Sequence, residues 1–187
     1  MRALVTGAAG QLGTDVVDHL RIAGDEVTAV DRAQLDIVVR EDVELLVAAE
    51  RPDVVINCAA FTAVDRCETE VDLAHDVNEH GVRVLAEACR RSGAHLVHVS
   101  TDYVFDGTLD RPYREDDATN PQSVYGRSKL AGERVAAKIL GDGCTIVRTS
   151  WVCGEHGNNM VKLVRRLAAA GKPMSFVDDQ RGCPTFT

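Results

Sequence analysis

Short apolar runs alternate with longer amphipathic stretches along this chain. Ala3-Leu4-Val5, Glu26–Val30, Val54–Asn57, Leu96–Val99 and Thr145–Arg148 are short and rich in β-branched residues, and they predict strands. Val54-Val55-Ile56 has no polar alternation, the mark of a strand buried on both faces. Between the runs, apolar residues recur at helical spacing. They do so at Val16, Val17, Leu20 and Ile22, at Val43, Leu46 and Val47 within 41–50, and at Leu73, Val77, Val84, Leu85 and Ala88 within 72–91. The same spacing returns at Ala131, Val135, Ala136 and Ile139 within 124–140, and across 159–170. Gly93, Gly141 and Gly171 mark helix ends. Met174–Val177 predicts a last strand, followed by a polar, irregular end over 178–187. Residues 103–124 read as a loop, and loops of that length in compact domains are usually functional or mobile. Strands alternating with helices predict an α/β fold with a doubly wound parallel sheet, covered on both faces and joined by right-handed crossovers.

The first strand runs into Gly7-Ala8-Ala9-Gly10-Gln11-Leu12-Gly13 and then into a helix. Strand, glycine turn and helix start together point backbone N–H groups at a pyrophosphate, in the manner of a Rossmann-type sheet. Glycine spares the approaching phosphates a side chain. A glycine triplet alone does not assign a nucleotide site. Asp31 follows the loop by about 20 residues, where a carboxylate meets an adenosine ribose and favours NAD. Arg32 beside it suits a 2′-phosphate and favours NADP, so the choice between NADPH and NADH stays open. Cys58–Thr62 supplies small residues at the carboxyl end of a parallel strand, the side on which such sheets bind ligands.

Composition narrows the function classes. The 187 residues carry a net charge of −8, against nucleic acid or anionic membranes as partners. No apolar run approaches a membrane span, and Met1-Arg2 enters a strand pattern at once, so neither a span nor a signal peptide is expected and the cytoplasm is the expected location. Six cysteines at irregular gaps, none in a C-x-x-C, predict free thiols and no metal site. His95 and His98, three apart on a strand, face opposite sides, and His75 and His80 share no helix face.

Tyr125-Gly126-Arg127-Ser128-Lys129 places a phenol and an ammonium one turn apart on a helix. Such an ammonium is expected to lower the phenol's pKa, letting tyrosine exchange a proton with a carbonyl or alcohol oxygen near neutral pH. Ser100-Thr101 at a strand end adds a hydroxyl on the same side of the sheet. Cofactor, proton donor and oxyanion partner are the combination that hydride transfer to a carbonyl requires.

With both hallmarks in place, the chain resembles the extended short-chain dehydrogenase/reductase superfamily. Within it, Gly10–Gly13, Ser100–Gly107, Tyr125–Glu133, Arg148–Val152 and Asp179–Thr185 together resemble the dTDP-4-dehydrorhamnose reductase family, in order and through the whole chain. The resemblance implies NADPH- or NADH-dependent reduction of the 4-keto group of a dTDP-sugar, dTDP-6-deoxy-L-lyxo-4-hexulose, to dTDP-L-rhamnose. It implies Tyr125, Lys129 and Thr101 as catalytic residues. Tyr125 would protonate the C4 oxygen, Lys129 would tune Tyr125 and hold the nicotinamide ribose, and Thr101 would hydrogen-bond the same oxygen. Gly7, Gly10, Gln11, Leu12 and Gly13 would wrap the pyrophosphate, Asp36 and Ile37 would border the adenine, and Ala60, Phe61 and Thr62 would line the cofactor further along. Val99, Thr101, Asp102 and Trp151 would contact the sugar nucleotide. A homodimer and Mg2+ use come from the resemblance alone.

Three positions depart from the family pattern: Cys153 stands for a usual tyrosine, Cys67 for an alanine and Phe61 for a histidine or tyrosine. Family members run on for roughly another hundred residues, a domain-sized length. The expected organisation is therefore a nicotinamide-cofactor domain over 1–150 and the start of a truncated substrate lobe over 151–187. A nucleotide-sugar epimerase or dehydratase shares the glycine loop and the Tyr/Lys pair. A non-catalytic NADP-binding regulatory subunit shares the fold.

Overall fold

The computed structural model describes residues 1–171, 173–176 and 182–187. In the first strand, β1 (Arg2–Thr6), four consecutive residues from Ala3 to Thr6 are buried. A run buried on both faces belongs inside a sheet. β1 indeed lies between β2 (Glu26–Val30) and β3 (Val54–Asn57), and β4 (His95–Thr101) and β5 (Cys144–Thr149) extend the sheet beyond β3. Every pairing is parallel and the order is β2-β1-β3-β4-β5. The chain leaves β1 toward β2 and returns on the other side at β3. The carboxyl ends of β1 and β3 therefore flank the switch point where open α/β sheets take ligands.

One face packs on α2 (Arg40–Glu50), α5 (Gly81–Ser92) and α6 (Val124–Leu140). Leu4, Val55 and Leu96 meet Val43 and Val47 of α2, Val82, Leu85 and Cys89 of α5, and Ala136 of α6. Leu4, Leu85 and Leu96 are wholly buried, each contributing roughly 2 kcal/mol of transfer free energy. On the opposite face, Ala3, Val5 and Val54 pack on Val17 and Leu20 of α1 (Gln11–Ile22). Among the described residues α1 covers chiefly the β2-β1-β3 half, with Val97 of β4 at the edge of the cluster. Val147 of β5, in register with Val99 and so on the same face, is 41% exposed. The expected cover on both faces is thus complete on one side and partial on the other.

The single helix expected over 72–91 is interrupted. α4 (Val71–His75) passes into a π-helical turn over Asp76–His80 before α5 begins. A π turn inserts one residue without breaking the apolar repeat on either side, so periodicity alone reads through it. Here it brings Asn78 into the interior. α3 (Val64–Cys67) was too short to leave a periodic signal. The 3₁₀ turn Asp102–Val104 opens the expected loop. That loop is gathered on Asp106, which accepts bonds from Thr108, Tyr113 and Asn120.

Beyond β5, β6 (Val152–Cys153) pairs in parallel with β7 (Thr185–Phe186), and α7 (Met160–Ala169) lies between them in the chain. Strands of two residues are invisible to a period-2 pattern. The strand expected over Met174–Val177 is not formed: Met174–Phe176 is irregular and exposed, and Val177 lies outside the described residues. Asp179, Gln180 and Arg181 of the last motif lie outside them too. Among the described residues no helix is long and apolar enough to cross a membrane.

Candidate active site

β1 delivers the chain into a glycine turn pressed against the exit of β3. Gly7 has φ +67°, and a Cβ there would sit 2.6 Å from the backbone nitrogen of Ala59. A Cβ on Gly13 would sit 2.2 Å from the Gly7 carbonyl oxygen. These two glycines are required by the turn's own packing, whereas Gly10 is exposed at its crest. α1 begins at Gln11 with no side chain capping its N-terminus at Gly10. Its first-turn N–H groups and positive dipole end stay available, a cradle that fits a pyrophosphate. The Gln11 side chain is committed elsewhere, its Nε2 donating to the Val152 carbonyl at 2.6 Å, which ties β6 to the loop. Leu12 is half-buried.

At the end of β2, Asp31 Oδ1 accepts the backbone N–H groups of Ala33 and Gln34 and so shapes its own turn. Arg32 is exposed and reaches Asp36 at 3.5 Å. Both signs of charge stand at this corner, as the sequence predicts. Ile37, which the resemblance sets beside the adenine, is 3% exposed and packs in the core beneath Gly81. An apolar residue next to a turn was drawn inward by the hydrophobic cluster on the α2–α5 face.

The exit of β3 is held by two buried asparagines. Asn57 Oδ1 accepts Thr6 Oγ1 at 2.7 Å and the Ala59 N–H at 3.1 Å. Asn78, from the π turn, accepts the Phe61 N–H at 2.9 Å and donates to the Phe61 carbonyl at 3.0 Å and to Ser128 Oγ at 3.0 Å. Ala60 and Phe61 are half-buried and Thr62 exposed along this stretch, facing the same end of the sheet as the glycine turn.

Tyr125 stands on the first turn of α6, which Ser123 caps by accepting the Gly126 N–H at 3.0 Å. Gly126 lets α6 touch the 3₁₀ turn after β4, since a Cβ there would lie 2.2 Å from the Tyr103 carbonyl oxygen. The Tyr103 ring packs edge-on against Tyr125, centroids 5.6 Å apart. Thr101, at the end of β4, donates to Asp102 Oδ1 and accepts the Tyr103 N–H, both at 3.2 Å. Burial pushes the Tyr125 phenol up to about 12, opposed by a hydrogen bond with Thr101. Burial likewise raises the Asp102 carboxyl. Where the Tyr/Lys spacing predicts a lowered phenol, burial raises it. The ammonium that should lower it is engaged elsewhere: Lys129 Nζ donates to the Val99 carbonyl at 2.6 Å and lies 3.5 Å from His98 Nε2. Burial brings Lys129 itself down to about 8.

Val99, Thr101 and Asp102 line the carboxyl end of β4, and Trp151 follows β5 with φ +46° and its indole against Gly182. Ser100 Oγ and Thr149 Oγ1 at the same end are buried without partners among the described residues. A cleft of about 860 Å3 opens at the other end of the sheet, lined in part by Arg2, Arg40, Pro52 and Arg91. It lies at the amino ends of the strands, remote from Tyr125 and the glycine turn, and a parallel sheet binds its ligand at the carboxyl ends.

The sequence matches the RmlD substrate binding domain over residues 1–187. The chain belongs to the RmlD substrate binding domain family. It is 50% identical over 186 residues to a dTDP-4-dehydrorhamnose reductase of Streptomyces griseus, covering 100% of this chain and 61% of that protein. It is 47% identical to a dTDP-4-keto-6-deoxy-D-glucose reductase of Streptomyces niveus, with 65% of that protein covered. The crystal structure of dTDP-4-dehydrorhamnose reductase from Bacillus anthracis in complex with NADP matches with a TM-score of 0.95 at 41% identity, over 99% of this chain and 66% of that one. The chain spans less than two thirds of the length of these relatives.

In this RmlD-family chain, sequence reasoning missed Asn57, Asn78 and His98, and gave no role to Glu133 and Arg148. Glu133 on α6 takes Arg148 of β5 at 2.9 and 2.7 Å, and Arg148 also stacks over the Phe105 ring and reaches the Glu115 carbonyl. This pair ties α6, β5 and the long loop together behind Tyr125. Both residues stood inside quoted motifs, but their partnership crosses 15 positions and carries no local spacing. Among the described residues no group of three His, Cys, Asp or Glu side chains could hold a metal ion.

Proposed function

We propose that this chain carries the cofactor and proton-donor half of a nicotinamide-dependent reductase acting on a dTDP-4-keto-6-deoxyhexose, forming dTDP-L-rhamnose from dTDP-6-deoxy-L-lyxo-4-hexulose. The observation that carries the reading is the convergence of Tyr125, Thr101 and Lys129 with the uncapped α1 N-terminus at one end of the sheet. When bound, NADPH or NADH supplies the hydride. The α1 N–H groups and the glycine turn hold its pyrophosphate, and Asp31 or Arg32 meets its adenosine ribose. Tyr125 Oη keeps its proton at neutral pH, since burial holds its pKa near 12. It can still give that proton to the C4 oxygen, because an alkoxide forming there is more basic than a phenolate. Thr101 Oγ1 orients that oxygen, and Asp102 and Trp151 face the sugar nucleotide.

A second reading concerns the substrate's stereochemistry. The relative from Streptomyces niveus is named for the D-glucose-configured 4-keto sugar, which presents the same ketone to the same three residues.

The test mixes each dTDP-4-keto-6-deoxy sugar with the chain as given and with a form extended to the length of its relatives, and follows NADPH and NADH absorbance, with turnover read on the extended form. Tyr125→Phe is expected to cut turnover by about 100-fold or more while leaving NADPH binding unchanged. Unchanged turnover in that variant removes the proton donor. Tight NADPH binding without turnover of either sugar favours a non-catalytic nucleotide-binding role.

A further inference from the structure

The mechanism above uses Lys129 but not the buried groups that surround it. Three polar side chains from three adjacent strands form a line into its amine. Thr6 Oγ1 donates to Asn57 Oδ1, Asn57 Nδ2 meets His98 Nδ1 at 3.1 Å, and His98 Nε2 lies 3.5 Å from Lys129 Nζ. The sheet register that pairs Asn57 with His98 brings them side by side. Asn57, His98 and Lys129 are all buried, Lys129 at 2% exposure, so none can turn to water.

The protons in this line follow from the ends. Asn57 Oδ1 accepts both Thr6 Oγ1 and the Ala59 N–H, and a backbone N–H can only donate. The amide orientation is thereby set, and Nδ2, a donor, faces the ring. His98 Nδ1 must accept, so the ring's one proton lies on Nε2, directed at Lys129. An ammonium would oppose that N–H with another; a neutral amine would accept it on its lone pair while still donating to Val99.

We propose that Asn57 locks His98 as its Nε2–H tautomer, and that this N–H shifts Lys129 toward its neutral form, making His98 a positioning residue for Lys129. The proposal rests on the reading that Lys129 serves the reductase site.

The other groups facing Lys129 agree with this assignment. Glu133, one turn along α6, favours the ammonium, but both its oxygens are bonded to Arg148. Cys58, from the exit of β3, is raised by burial to about 11 and carries no charge at neutral pH. His98 is driven well below its ordinary value by burial and by Lys129, so it stays neutral throughout the working range. Among the described residues no uncommitted anion therefore faces the amine, and burial brings Lys129 down to about 8 where an exposed lysine would remain charged. At physiological pH it therefore stands close to its titration point, and the His98 N–H shifts that balance toward the amine.

The experiment is NMR on the isotope-labelled chain. Long-range 1H–15N correlations of His98 should show a protonated Nε2 and a bare Nδ1, unchanged from about pH 6 to about pH 9. Asn57→Asp keeps acceptors for Thr6 and Ala59 but offers Nδ1 no donor. It should move the ring proton to Nδ1 and raise the Lys129 titration, read on its Cε, by about one pH unit or more. Asn57→Ala, which adds no charge, should raise it in the same direction. A protonated Nδ1 in the wild-type chain overturns the proposal, and so does a Lys129 titration unmoved in both variants. Because the wild-type spectrum alone decides the tautomer, a variant that fails to fold does not shield the idea. Both readouts need neither sugar nor cofactor, so loss of NADPH binding would sink the reductase reading while these spectra still decide the lock. If the chain is active, the basic limb of its kcat/KM profile should move upward in Asn57→Asp. A limb that stays in place removes His98's role in the reaction even if Tyr125→Phe is inactive.

Discussion

Replacing Lys129 with methionine should change how the stability of the fold responds to alkali. Lysine has an ordinary pKa of 10.5 and falls to about 8 in the folded chain, with burial the largest cause. A difference of this size makes a buried ammonium cost the fold about 3 kcal/mol wherever it is charged in both states. Below about pH 8 both states are protonated and the full cost is present. Between about 8 and 10.5 the folded chain gives up the proton while the unfolded chain keeps it. The unfolded state then binds more protons, so stability rises with pH across that window. Lys129→Met has no such group. It also leaves the Val99 carbonyl and the His98 Nε2–H without their partner, an offset of roughly 1–3 kcal/mol that does not depend on pH. The measurement is urea unfolding of both proteins, followed by far-ultraviolet circular dichroism at a series of pH values. Every other titrating group is common to the two and cancels in the difference. The wild-type stability, taken relative to the variant, should climb by about 3 kcal/mol across the window and be flat below it. A difference that stays level through the window would refute the buried-amine reasoning, and with it the account of Lys129 given above.

Two further outcomes follow from geometry elsewhere. Gly126→Ala places a methyl 2.2 Å from the Tyr103 carbonyl oxygen, and rigid backbone on both sides must move apart. It should lower stability by about 1–3 kcal/mol in urea unfolding and reduce turnover further by displacing Tyr125. His156 Nδ1 bonds Asp15 Oδ1 at 2.6 Å, and this bond raises the imidazole's pKa above 6.5. That contact is fully present below the ordinary histidine value and is lost as pH rises through the raised one. Hydrogen exchange in 152–163, corrected for intrinsic rate, should therefore quicken on the alkaline side, and Asp15→Asn should abolish the dependence.

Local chemistry made much of the scaffold readable. Glu26–Val30, Val54–Asn57 and Val124–Leu140 lie where the apolar pattern put them. Pro52-Asp53 stops α2 before β3, and Ser123 caps α6, so a boundary residue stood at each place where a run began. The glycine turn was equally legible, because a close approach of backbone to backbone admits only glycine. What escaped were features fixed by contacts between distant segments. The π turn preserves the helical repeat and shows itself only through Asn78 gripping Phe61 across 17 positions. β6 and β7 are two residues each and exist because Gln11 and Asp15 of α1 hold the segment after β5 in place.

The same distinction bears on the electrostatics of Tyr125 and Lys129, which helix spacing alone does not set. An i,i+4 spacing puts Tyr125 and Lys129 on one face of α6, and nothing in that spacing says where the long lysine side chain ends. In the fold it enters the interior beneath β4, where the Val99 carbonyl lies 2.6 Å away. Burial then works against both charged forms at once: it raises the phenol and lowers the amine, toward a pair that are neutral together. A phenol raised by burial beside an amine near its titration point differs from the lowered phenol that the Tyr/Lys spacing predicts. On the reading proposed above, the proton that Tyr125 would give to a substrate oxygen is one it already holds, and Asn57 and His98, residues without a motif, would set the lysine behind it.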